Sequence, residues 1–519
     1  MALAKYFSKD LLAINRLINT KHSILIERLN NTIITIAFDA NAVNTFEGCC
    51  SLDLITRLLS RLYPRLKIVD LSGTSEEKIK ELTTIAKKIN SNIELLDNDV
   101  DEDIIIIAGY TEKEIKTKGI IFHYGSENWI SKYSMDNLQK FGESKNPFGS
   151  GIAASIVASN IFRYIFKDYL NLSPLDKEFE FSVYSLDSKN IENPLLKEVI
   201  FDDVVIAGIG AIGNGLIWAL SNIADLKGKV HLVDSEKISL SNLQRYVLFD
   251  EYDENEVKVY IAKKFFKQKE LNVYVTNGNW EDFVNNQSDW NIKCVAVGID
   301  NEKDRIGIQS TLPHIIFNAF TETESVGITR HYDFIAEACL SCSHIPLKKK
   351  KDFINEVADN CNISNKSDLV KIYYNSKLPV NLPIPNMNVE SLLAIIAKAN
   401  GIQLKELAQF NGMTINQFYS DFVCGGVILK VSKTNTNITN VDAPLAFQSA
   451  IAGIFLAAEL VRHHLNSQIK LEPRTDFYHL SPIEQGFNPL HRILEKDKTN
   501  RCICRDNDFI NRYQEKWKN

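Results

Sequence analysis

Residues 204–214 have the sequence VVIAGIGAIGN, an apolar run that leads into the spacing Gly208-x-Gly210-x-x-Gly213. The run predicts a buried β-strand, and the glycines predict a tight turn that opens a helix near Asn214. Such glycines let the backbone approach a phosphate, and the helix N-terminus offers N–H groups with partial positive charge. Asp234 ends the next apolar strand, where it can accept hydrogen bonds from a ribose. A Rossmann-like α/β unit is expected, and a dinucleotide dehydrogenase or a glycine turn without a ligand stays open.

Composition indicates a large chain with no bias towards nucleic acids or membranes. Its 519 residues are 45% hydrophobic, which is enough for two or three domains. Its 65 acidic and 59 basic residues give a net charge of −6, which argues against a nucleic acid as partner. No apolar run approaches the roughly 18 residues that cross a bilayer, and the first residues lack a signal-peptide core. We expect a cytoplasmic protein with no membrane partner.

Two helices rich in small residues indicate that an α/β domain occurs twice. Residues 1–195 contain β-rich runs such as TIITIAFD and DIIIIAGY, and a helix begins near Pro147. A similar helix begins near Pro444, and a constant offset of 299 residues aligns the two. The aligned pairs are Ser150 with Ser449, Ala153 with Ala452, Ala158 with Ala457 and Arg163 with Arg462. We expect a tandem pseudo-duplicate whose first copy lacks a glycine loop, although two unrelated, closely packed helices are an alternative.

A block of residues that begins at Asp234 is more specific than the glycines. Positions 234–246 follow the pattern Asp-x-Glu-x-Ile-x-x-Ser-Asn-Leu-Gln-Arg-Tyr, Lys258 lies in NEVKVYIAKKF, and Asp300 and Arg305 lie in GIDNEKDR. In order and spacing these blocks resemble the ThiF-type and ubiquitin-activating enzymes, over about residues 200–345 and 440–505. The resemblance implies a Rossmann-like ThiF-type fold. It also implies an ATP-dependent adenylyltransferase that activates the C-terminal carboxylate of a ubiquitin-like protein or a peptide.

The same resemblance implies a role for each residue of these blocks. Asp234 would hold the ribose, Asn242, Arg245 and Lys258 would contact the triphosphate, and Asp300, with Arg305 nearby, would carry Mg²⁺. The chemistry agrees, because an anionic carboxylate must approach an anionic α-phosphate and cations must neutralise both. Hydride transfer needs no such cluster, which disfavours a dehydrogenase. Taken singly, Lys258 or Arg245 would be interpreted as an ordinary surface charge. Only the combination of all these residues indicates a phosphate site.

The chain is therefore expected to contain four segments. Residues 1–195 would be an inactive adenylation-like domain, and residues 196–347 the first part of the active domain. Residues 348–440 begin with a lysine run, carry LPVNLPIPN and continue with helical patterns, which predicts a recognition or lid insertion. Residues 441–519 would close the active domain and carry a zinc-binding tail. Such a chain is a pseudo-dimer within itself, and a further homodimer stays open.

A catalytic arginine from the first copy is a further implication of the resemblance. In this family an arginine of a partner domain commonly reaches the ATP from an N-terminal helix. Here Ala13-Ile14-Asn15-Arg16-Leu17 resembles that helix. An inactive half that lends Arg16 to an active half would give the duplication a purpose. An ordinary helix charge is the alternative.

Two close cysteine pairs are candidate zinc ligands. They are Cys339-Leu-Ser-Cys342 and Cys502-Ile-Cys504. Four thiolates can hold a tetrahedral zinc ion, which would be structural because no coordination position stays open. The family often has such a site, built from two C-x-x-C pairs, whereas the second pair here is C-x-C. Isolated reduced thiols are the alternative to a zinc site. If zinc is bound, His344 is a candidate substitute for one of the cysteine ligands.

Cys424, in DFVCGGVIL, is the candidate nucleophile. Some family members have a cysteine in this region that receives the acyl group as a thioester or takes part in sulfur transfer. A thiolate can attack an acyl-adenylate because AMP is a good leaving group. The alternatives are a buried, inert Cys424 and a nucleophilic Cys361. Cys49, Cys50 and Cys294 are better explained by packing.

Three functions are left open by these observations. The first is activation of a ubiquitin-like protein in a bacterial conjugation system, with a conjugating enzyme as partner and a link to antiviral defence. The second is adenylation of a ribosomal peptide. The third is a nucleotide-fold scaffold without catalysis, which is disfavoured because Arg245, Lys258 and Asp300 are all present.

Overall fold

The isoleucine-rich runs near the N-terminus form the centre of a seven-stranded sheet in the computed structural model. Its strands are β1 (Ile34–Phe38), β2 (Arg65–Asp70), β3 (Glu94–Leu95), β4 (Ile104–Ala108), β5 (Ile120–Glu127), β6 (Ile130–Ser134) and β7 (Glu178–Ser182). Their order is β3-β2-β1-β4-β5-β6-β7, parallel from β3 to β5 and antiparallel thereafter. All residues of β1 and β4 are buried, as expected for central parallel strands covered on both faces.

A second sheet of eight strands follows. Its strands are β8 (Val199–Ala207), β9 (Leu226–Asp234), β10 (Leu271–Asn277), β11 (Cys294–Val297), β12 (Ile315–Thr321), β13 (Ser325–His331), β14 (Arg474–Tyr478) and β15 (Leu490–Arg492). Their order is β10-β9-β8-β11-β12-β13-β14-β15, parallel as far as β12 and antiparallel beyond it. The boundary predicted at residue 195 falls between the two sheets.

The helices, in chain order, are α1 (Phe7–Leu17), α2 (His22–Asn31), α3 (Ala40–Asn44), α4 (Phe46–Leu62), α5 (Glu76–Ile89), α6 (Phe148–Ile165), α7 (Ala211–Ser221), α8 (Lys258–Lys263), α9 (Trp280–Asn285), α10 (Glu302–Ser310), α11 (Lys366–Ser376), α12 (Glu390–Asn400), α13 (Ile415–Phe418), α14 (Ala446–His464) and α15 (Asn507–Trp517). Within the described part of the chain, every helix is too short or too polar to cross a bilayer.

The structure describes residues 3–18, 20, 22–97, 100–170, 175–322, 324–345, 354, 357–358, 361, 363–376, 387–419, 444–465, 467, 469–478, 480 and 489–517. These residues belong to two compact units. The larger unit contains Met1–Asp10, Ile18–Ile345 and Pro444–Asn519, and therefore both sheets. The smaller unit contains Leu11–Leu17 and Pro346–Ala443, a span that includes the predicted insertion.

The smaller unit has its own apolar core. Its described elements are helical, and the amphipathic helix α12 contributes four buried residues, Leu392, Leu393, Ile396 and Ala397. Phe410 and Phe418 close the core with an edge-to-face contact between their rings. Thr414 caps α13 by accepting the N–H of Gln417 at 3.1 Å.

The two sheets repeat one strand order, and equivalent helices close both domains. α6 and α14 are buried almost throughout, and they pack against each other within the larger unit. Phe181 of β7 contacts Phe455 of α14 and Phe477 of β14, with ring centroids 6.0 and 5.9 Å away. The predicted fold class, a Rossmann-like α/β fold built on two successive sheets, is confirmed. The repeated strand order also supports the predicted duplication.

A buried ion triad links α14 to β13. Glu459 accepts the Nε–H of Arg330 at 2.9 Å and forms ion pairs with both Arg330 and Arg462. All three side chains are 5% exposed or less. Burial raises the pKa of Glu459, but the two arginines outweigh this effect and leave the pKa lowered. The carboxylate is therefore held ionised between two buried cations.

We expect Glu459→Ala to destabilise the larger unit strongly, because it leaves two buried guanidinium groups without their counter-ion. Removal of one partner from a buried ion pair costs about 3–5 kcal/mol. This corresponds to a fall in Tm of about 3–6 °C for a unit of this size, measured by thermal unfolding. Glu495→Ala is the control, because Glu495 belongs to an exposed pair with Lys498. Equal Tm values for the two variants would contradict the expectation.

Candidate nucleotide site

The glycine turn joins β8 to α7 and leaves little room for side chains. β8 ends at Ala207, and α7 begins at Ala211. Gly208 has φ +92°, a conformation that favours glycine, and a Cβ there would lie 2.8 Å from Cγ1 of Ile299. A Cβ on Gly213 would lie 2.3 Å from the carbonyl oxygen of Gly208. These two glycines therefore let the strand, the turn and the helix pack closely.

Gly210, which is half-buried, has more room around it. The nearest atoms to a Cβ at this position are the Tyr246 hydroxyl oxygen at 3.7 Å and the carbonyl oxygen of Gly298 at 4.0 Å. Gly210 is also the N-cap of α7, an 11-residue helix. The first N–H groups of a helix lack partners inside it and carry partial positive charge. A phosphate can therefore approach the backbone at this turn.

The carboxyl end of β11 lies beside the glycine turn. Gly298 follows β11 and donates its N–H to the carbonyl of Ala207 at 2.9 Å. β11 pairs with β8 in parallel, and the strand order reverses between them, since β9 and β10 extend the sheet on one side and β12 on the other. Crevices at such reversal points are where open α/β sheets bind their ligands.

Asp234 lies at the end of β9, beside the glycine turn. Its Oδ2 accepts the N–H of Ile209 at 2.7 Å, and its Oδ1 accepts the N–H of Glu236 at 2.8 Å. Burial raises the pKa of Asp234, and the positive charge of Lys258 opposes this shift. A carboxylate has about four acceptor positions. Two of them are therefore left for the hydroxyls of a ribose.

Lys258 is the first residue of α8, and its side chain is 1% exposed. Its Nζ donates to the Tyr246 hydroxyl at 3.0 Å and forms an ion pair with the exposed carboxylate of Glu236. Burial lowers the pKa of this lysine, but Tyr246 and the carboxylates of Asp234 and Glu236 outweigh burial and leave the pKa raised. Lys258 therefore keeps its positive charge at neutral pH.

Asn242 and Arg245 lie on the segment between β9 and α8, and both are partly exposed. The Oδ1 atom of Asn242 accepts the N–H of Ser239 at 3.0 Å, so its Nδ2 group is the part suited to donate to a ligand. The guanidinium of Arg245 lies 5.7 Å from the centre of the Tyr246 ring. The triphosphate contacts assigned to both residues stay predictions.

Asp300 and Arg305 follow β11. Asp300 is exposed beyond Gly298, and Arg305 is buried in the first half of α10. Burial lowers the pKa of Arg305, and the negative charge of Asp300 opposes this shift. The two groups are thus close enough to interact. The magnesium role of Asp300 stays a prediction.

Two other predicted residues, Arg16 and Cys424, lie partly or wholly outside the described part of the chain. Arg16 is in helix α1, but its side chain lies outside the described residues, as does the whole of Cys424. The rival nucleophile Cys361 is 3% exposed in the core of the smaller unit. Burial raises the pKa of Cys361 to about 12, so its thiol is protonated at neutral pH. This counts against Cys361 as a nucleophile.

Three further residues shape the site, and their roles were not predicted from the sequence. Glu236 forms an ion pair with Lys258, Tyr246 accepts a hydrogen bond from Lys258, and Gly298 lets β11 approach the glycine turn. Glu236 and Tyr246 are positions of the 234–246 pattern, and Gly298 lies two residues before Asp300. Their positions in or beside these sequence blocks could therefore have indicated that they belong to the site.

The corresponding crevice of the first sheet is filled by protein. α3 follows β1 directly, and the Asn41 side chain accepts the N–H groups of Tyr110 at 3.2 Å and Phe141 at 2.9 Å. Asp39 accepts the hydroxyl hydrogen of Thr111 at 2.6 Å. Side chains that bond across the ends of β1 and β4 thus occupy the place that the glycine turn leaves open in the second sheet.

The four predicted zinc ligands form one cluster. The Sγ–Sγ distances are 3.4 Å for Cys339–Cys502 and Cys342–Cys504, 3.6 Å for Cys342–Cys502 and 3.9 Å for Cys339–Cys342. All four sulfur atoms lie within 4.8 Å of one another. Zn–S bonds of about 2.3 Å require tetrahedral S–S edges of about 3.8 Å. The cluster fits a zinc ion, and His344 does not belong to this group.

A crevice at the reversal point of a mostly parallel sheet, with a glycine turn at a helix N-terminus, defines a Rossmann-like nucleotide-binding protein. Residues 184–502, more than half of the chain, match the family model for ThiF, and the chain belongs to the ThiF family. Residues 37–167 match the model described as prokaryotic E2 family C. Membership of the ThiF family supports an adenylating enzyme of a ubiquitin-like-type or peptide-modifying system.

Similar proteins were found among curated sequences and solved structures. An uncharacterised protein, y4jF, of Sinorhizobium fredii is 33% identical over 522 residues, covering 100% of this chain and 98% of the relative. Two crystal structures of Escherichia coli MccB, one with MccA-N7isoASN and one with AMPCPP and MccA, are 13% identical. They cover 73% and 72% of this chain and 99% and 98% of their own, with TM-scores of 0.33 and 0.32.

Proposed function

We propose that the chain uses Mg·ATP to adenylate the C-terminal carboxylate of a ubiquitin-like protein or a peptide. The observation that carries this proposal is the buried, protonated Lys258 beside the glycine turn. Its Nζ donates to the Tyr246 hydroxyl, whose oxygen would lie 3.7 Å from a Cβ at Gly210, the N-cap of α7. A fixed cation next to unpaired helix N–H groups suits a polyphosphate better than a neutral ligand.

The proposed roles follow from these positions. The Asp234 carboxylate would bind the ribose hydroxyls, while Lys258, Arg245 and Asn242 would donate to the phosphates. A magnesium ion held by Asp300 and phosphate oxygens would neutralise the departing pyrophosphate. The substrate carboxylate would then attack the α-phosphate, which forms the acyl-adenylate and releases pyrophosphate.

The first half is proposed to be inactive towards ATP. The filled crevice at Asn41 and the direct passage from β1 into α3, without a glycine turn, support this assignment. An arginine of this half, Arg16, would reach the nucleotide as in the family. The pseudo-dimer would thus contain one ATP site per chain.

Transfer of the acyl group to a cysteine is proposed as the second step. The thiolate of Cys424 would attack the acyl-adenylate, with AMP as the leaving group. The resemblance of residues 37–167 to prokaryotic E2 family C supports a conjugation system of this kind. A thiol-sensitive adduct that is lost in Cys424→Ala would support the step, and an adduct that survives would exclude Cys424 as the acceptor. We also propose that such a system acts in antiviral defence.

ATP–pyrophosphate exchange tests the adenylation step. We expect the chain to incorporate labelled pyrophosphate into ATP in the presence of a small protein or peptide encoded beside it. The same substrate with an amidated C-terminus is the control, because an amide cannot form an acyl-adenylate. Exchange that is equal with both substrates, or absent with every neighbouring small protein, would contradict adenylation of a C-terminal carboxylate. The second result would favour a non-catalytic scaffold.

A further inference from the structure

Helix α4 of the first half contacts the segment Tyr246–Phe249 of the second half, which leads from Tyr246 towards α8. The carbonyl oxygens of all four residues of this segment accept hydrogen bonds from arginine side chains of α4. Four successive backbone acceptors bound by another domain are unusual, since most buried carbonyls are satisfied within helices and sheets.

Arg61 binds the two ends of the segment. Its Nη2 donates to the carbonyl of Tyr246 at 2.5 Å and to that of Phe249 at 2.7 Å, and its side chain is 1% exposed. One planar guanidinium therefore fixes the distance between two carbonyls that are three residues apart. Loss of this group would leave both carbonyls buried without a donor.

Arg57, one turn earlier on α4, binds the middle of the segment. Its Nη1 donates to the carbonyls of Val247 at 3.3 Å and Leu248 at 3.1 Å. Its Nε is paired with Asp53 at 2.9 Å, and Asp53 also accepts the indole N–H of Trp218 at 2.9 Å. Since Trp218 is on α7, the same residues of α4 contact both the segment and the helix that begins at the glycine turn.

Asn214 connects the segment to the glycine turn directly. Its Oδ1 accepts the N–H of Leu248 at 3.2 Å, and its Nδ2 donates to the carbonyl of Gly210 at 2.9 Å. On the other side, the Tyr246 hydroxyl accepts from Lys258 at 3.0 Å. The segment therefore lies between the two parts of the proposed phosphate site, and α4 fixes its position.

We infer that Arg57 and Arg61 are positioning residues of the nucleotide site, through which the first half sets the distance between the glycine turn and Lys258. This inference rests on the proposed function as far as ATP is concerned. Neither arginine need touch the nucleotide. The first half would thus contribute to ATP binding through its α4 helix, independently of any arginine in α1. Misplacement of binding groups by even about 1 Å weakens a preorganised site severely.

The test compares Arg57→Ala and Arg57→Lys with Arg65→Ala in the full chain. Arg65 is a matched control, because it is a partly buried arginine of the same half that pairs with Glu94 at 3.3 Å. Arg57 is preferred to the fully buried Arg61, whose loss would compromise folding. The two measurements are Mg·ATP binding by calorimetry and amide hydrogen exchange of residues 243–258.

We expect Arg57→Ala to weaken Mg·ATP binding about tenfold and to speed amide exchange in 243–258 by a similar factor. Arg57→Lys would be intermediate, since one ammonium can replace only part of the guanidinium contacts. Arg65→Ala would match the unaltered chain in both measurements. Unchanged exchange in Arg57→Ala, or unchanged affinity, would overturn the inference. An unaltered chain that binds no Mg·ATP would instead contradict the proposed function, and the exchange data alone would then decide whether α4 holds the segment.

Discussion

Replacement of Lys258 by alanine is expected to lower ATP–pyrophosphate exchange by at least about a hundredfold, the effect of removing one buried, preorganised donor from a charged transition state. Lys258 is 1% exposed, ionised, and fixed by Tyr246 and Glu236. An exposed lysine would be replaced readily by solvent cations. A buried lysine is replaced less readily, because Tyr246 and Glu236 hold its ammonium group in one position.

Two quantities are measured for each variant: the Tm, and the rate of ATP–pyrophosphate exchange with the small protein or peptide that supports exchange by the unaltered chain. Lys263→Ala is the matched control, since Lys263 belongs to the same helix but is exposed. It should retain exchange within about twofold, as expected for a surface change. If Lys258→Ala retains most of the activity at unchanged Tm, the assignment of Lys258 to the phosphates is wrong. If Lys258→Ala lowers the Tm and Lys263→Ala does not, the test is repeated with Lys258→Met, which removes the charge but keeps the packing of the aliphatic stem.

Replacement of Cys502 by serine is expected to remove bound zinc and to lower Tm by about 10 °C or more. Cys502 is in contact with both Cys339 and Cys342 and therefore joins the C-terminal tail to the turn after β13. Structural zinc contributes on the order of 10 kcal/mol to small metal-dependent folds. Around this cluster the core also contains Phe334 and Tyr513, so loss of the metal would loosen α15.

Zinc content by elemental analysis, together with Tm, checks this prediction. The unaltered chain should contain about one zinc ion, and Cys502→Ser much less. Cys49→Ser is the control, because Cys49 is a partly exposed thiol of the first half outside the cluster. Equal metal content in the two variants, or four cysteines that react freely with a thiol reagent in the folded chain, would contradict a zinc site.

The local parts of the fold and the site could be predicted from the sequence. The glycine turn, the strand before it and Asp234 lie within 31 residues, and their patterns are set by backbone requirements that leave a clear trace. The two cysteine pairs were equally visible, because such close spacing is typical of the thiolate ligands of a metal ion. The mostly parallel strand order of each sheet follows from the alternation of short strands and helices along the chain.

The contacts between the halves could not be predicted. Arg57 and Arg61 are separated from the segment they bind by 185–191 residues, and each has the pattern of an ordinary helix charge. The filling of the first crevice by Asn41 also depends on contacts with residues as far away as Phe141. Sequence periodicity carries information about which face of a helix is buried, but none about which distant backbone it meets.

The presence of α4 and its target on one polypeptide has a consequence for how the protein responds to dilution. Where such a contact joins separate subunits, it weakens as concentration falls, and the site loses its geometry with it. Here the covalent connection keeps the effective concentration of α4 constant. The contact between α4 and its target should therefore be independent of protein concentration.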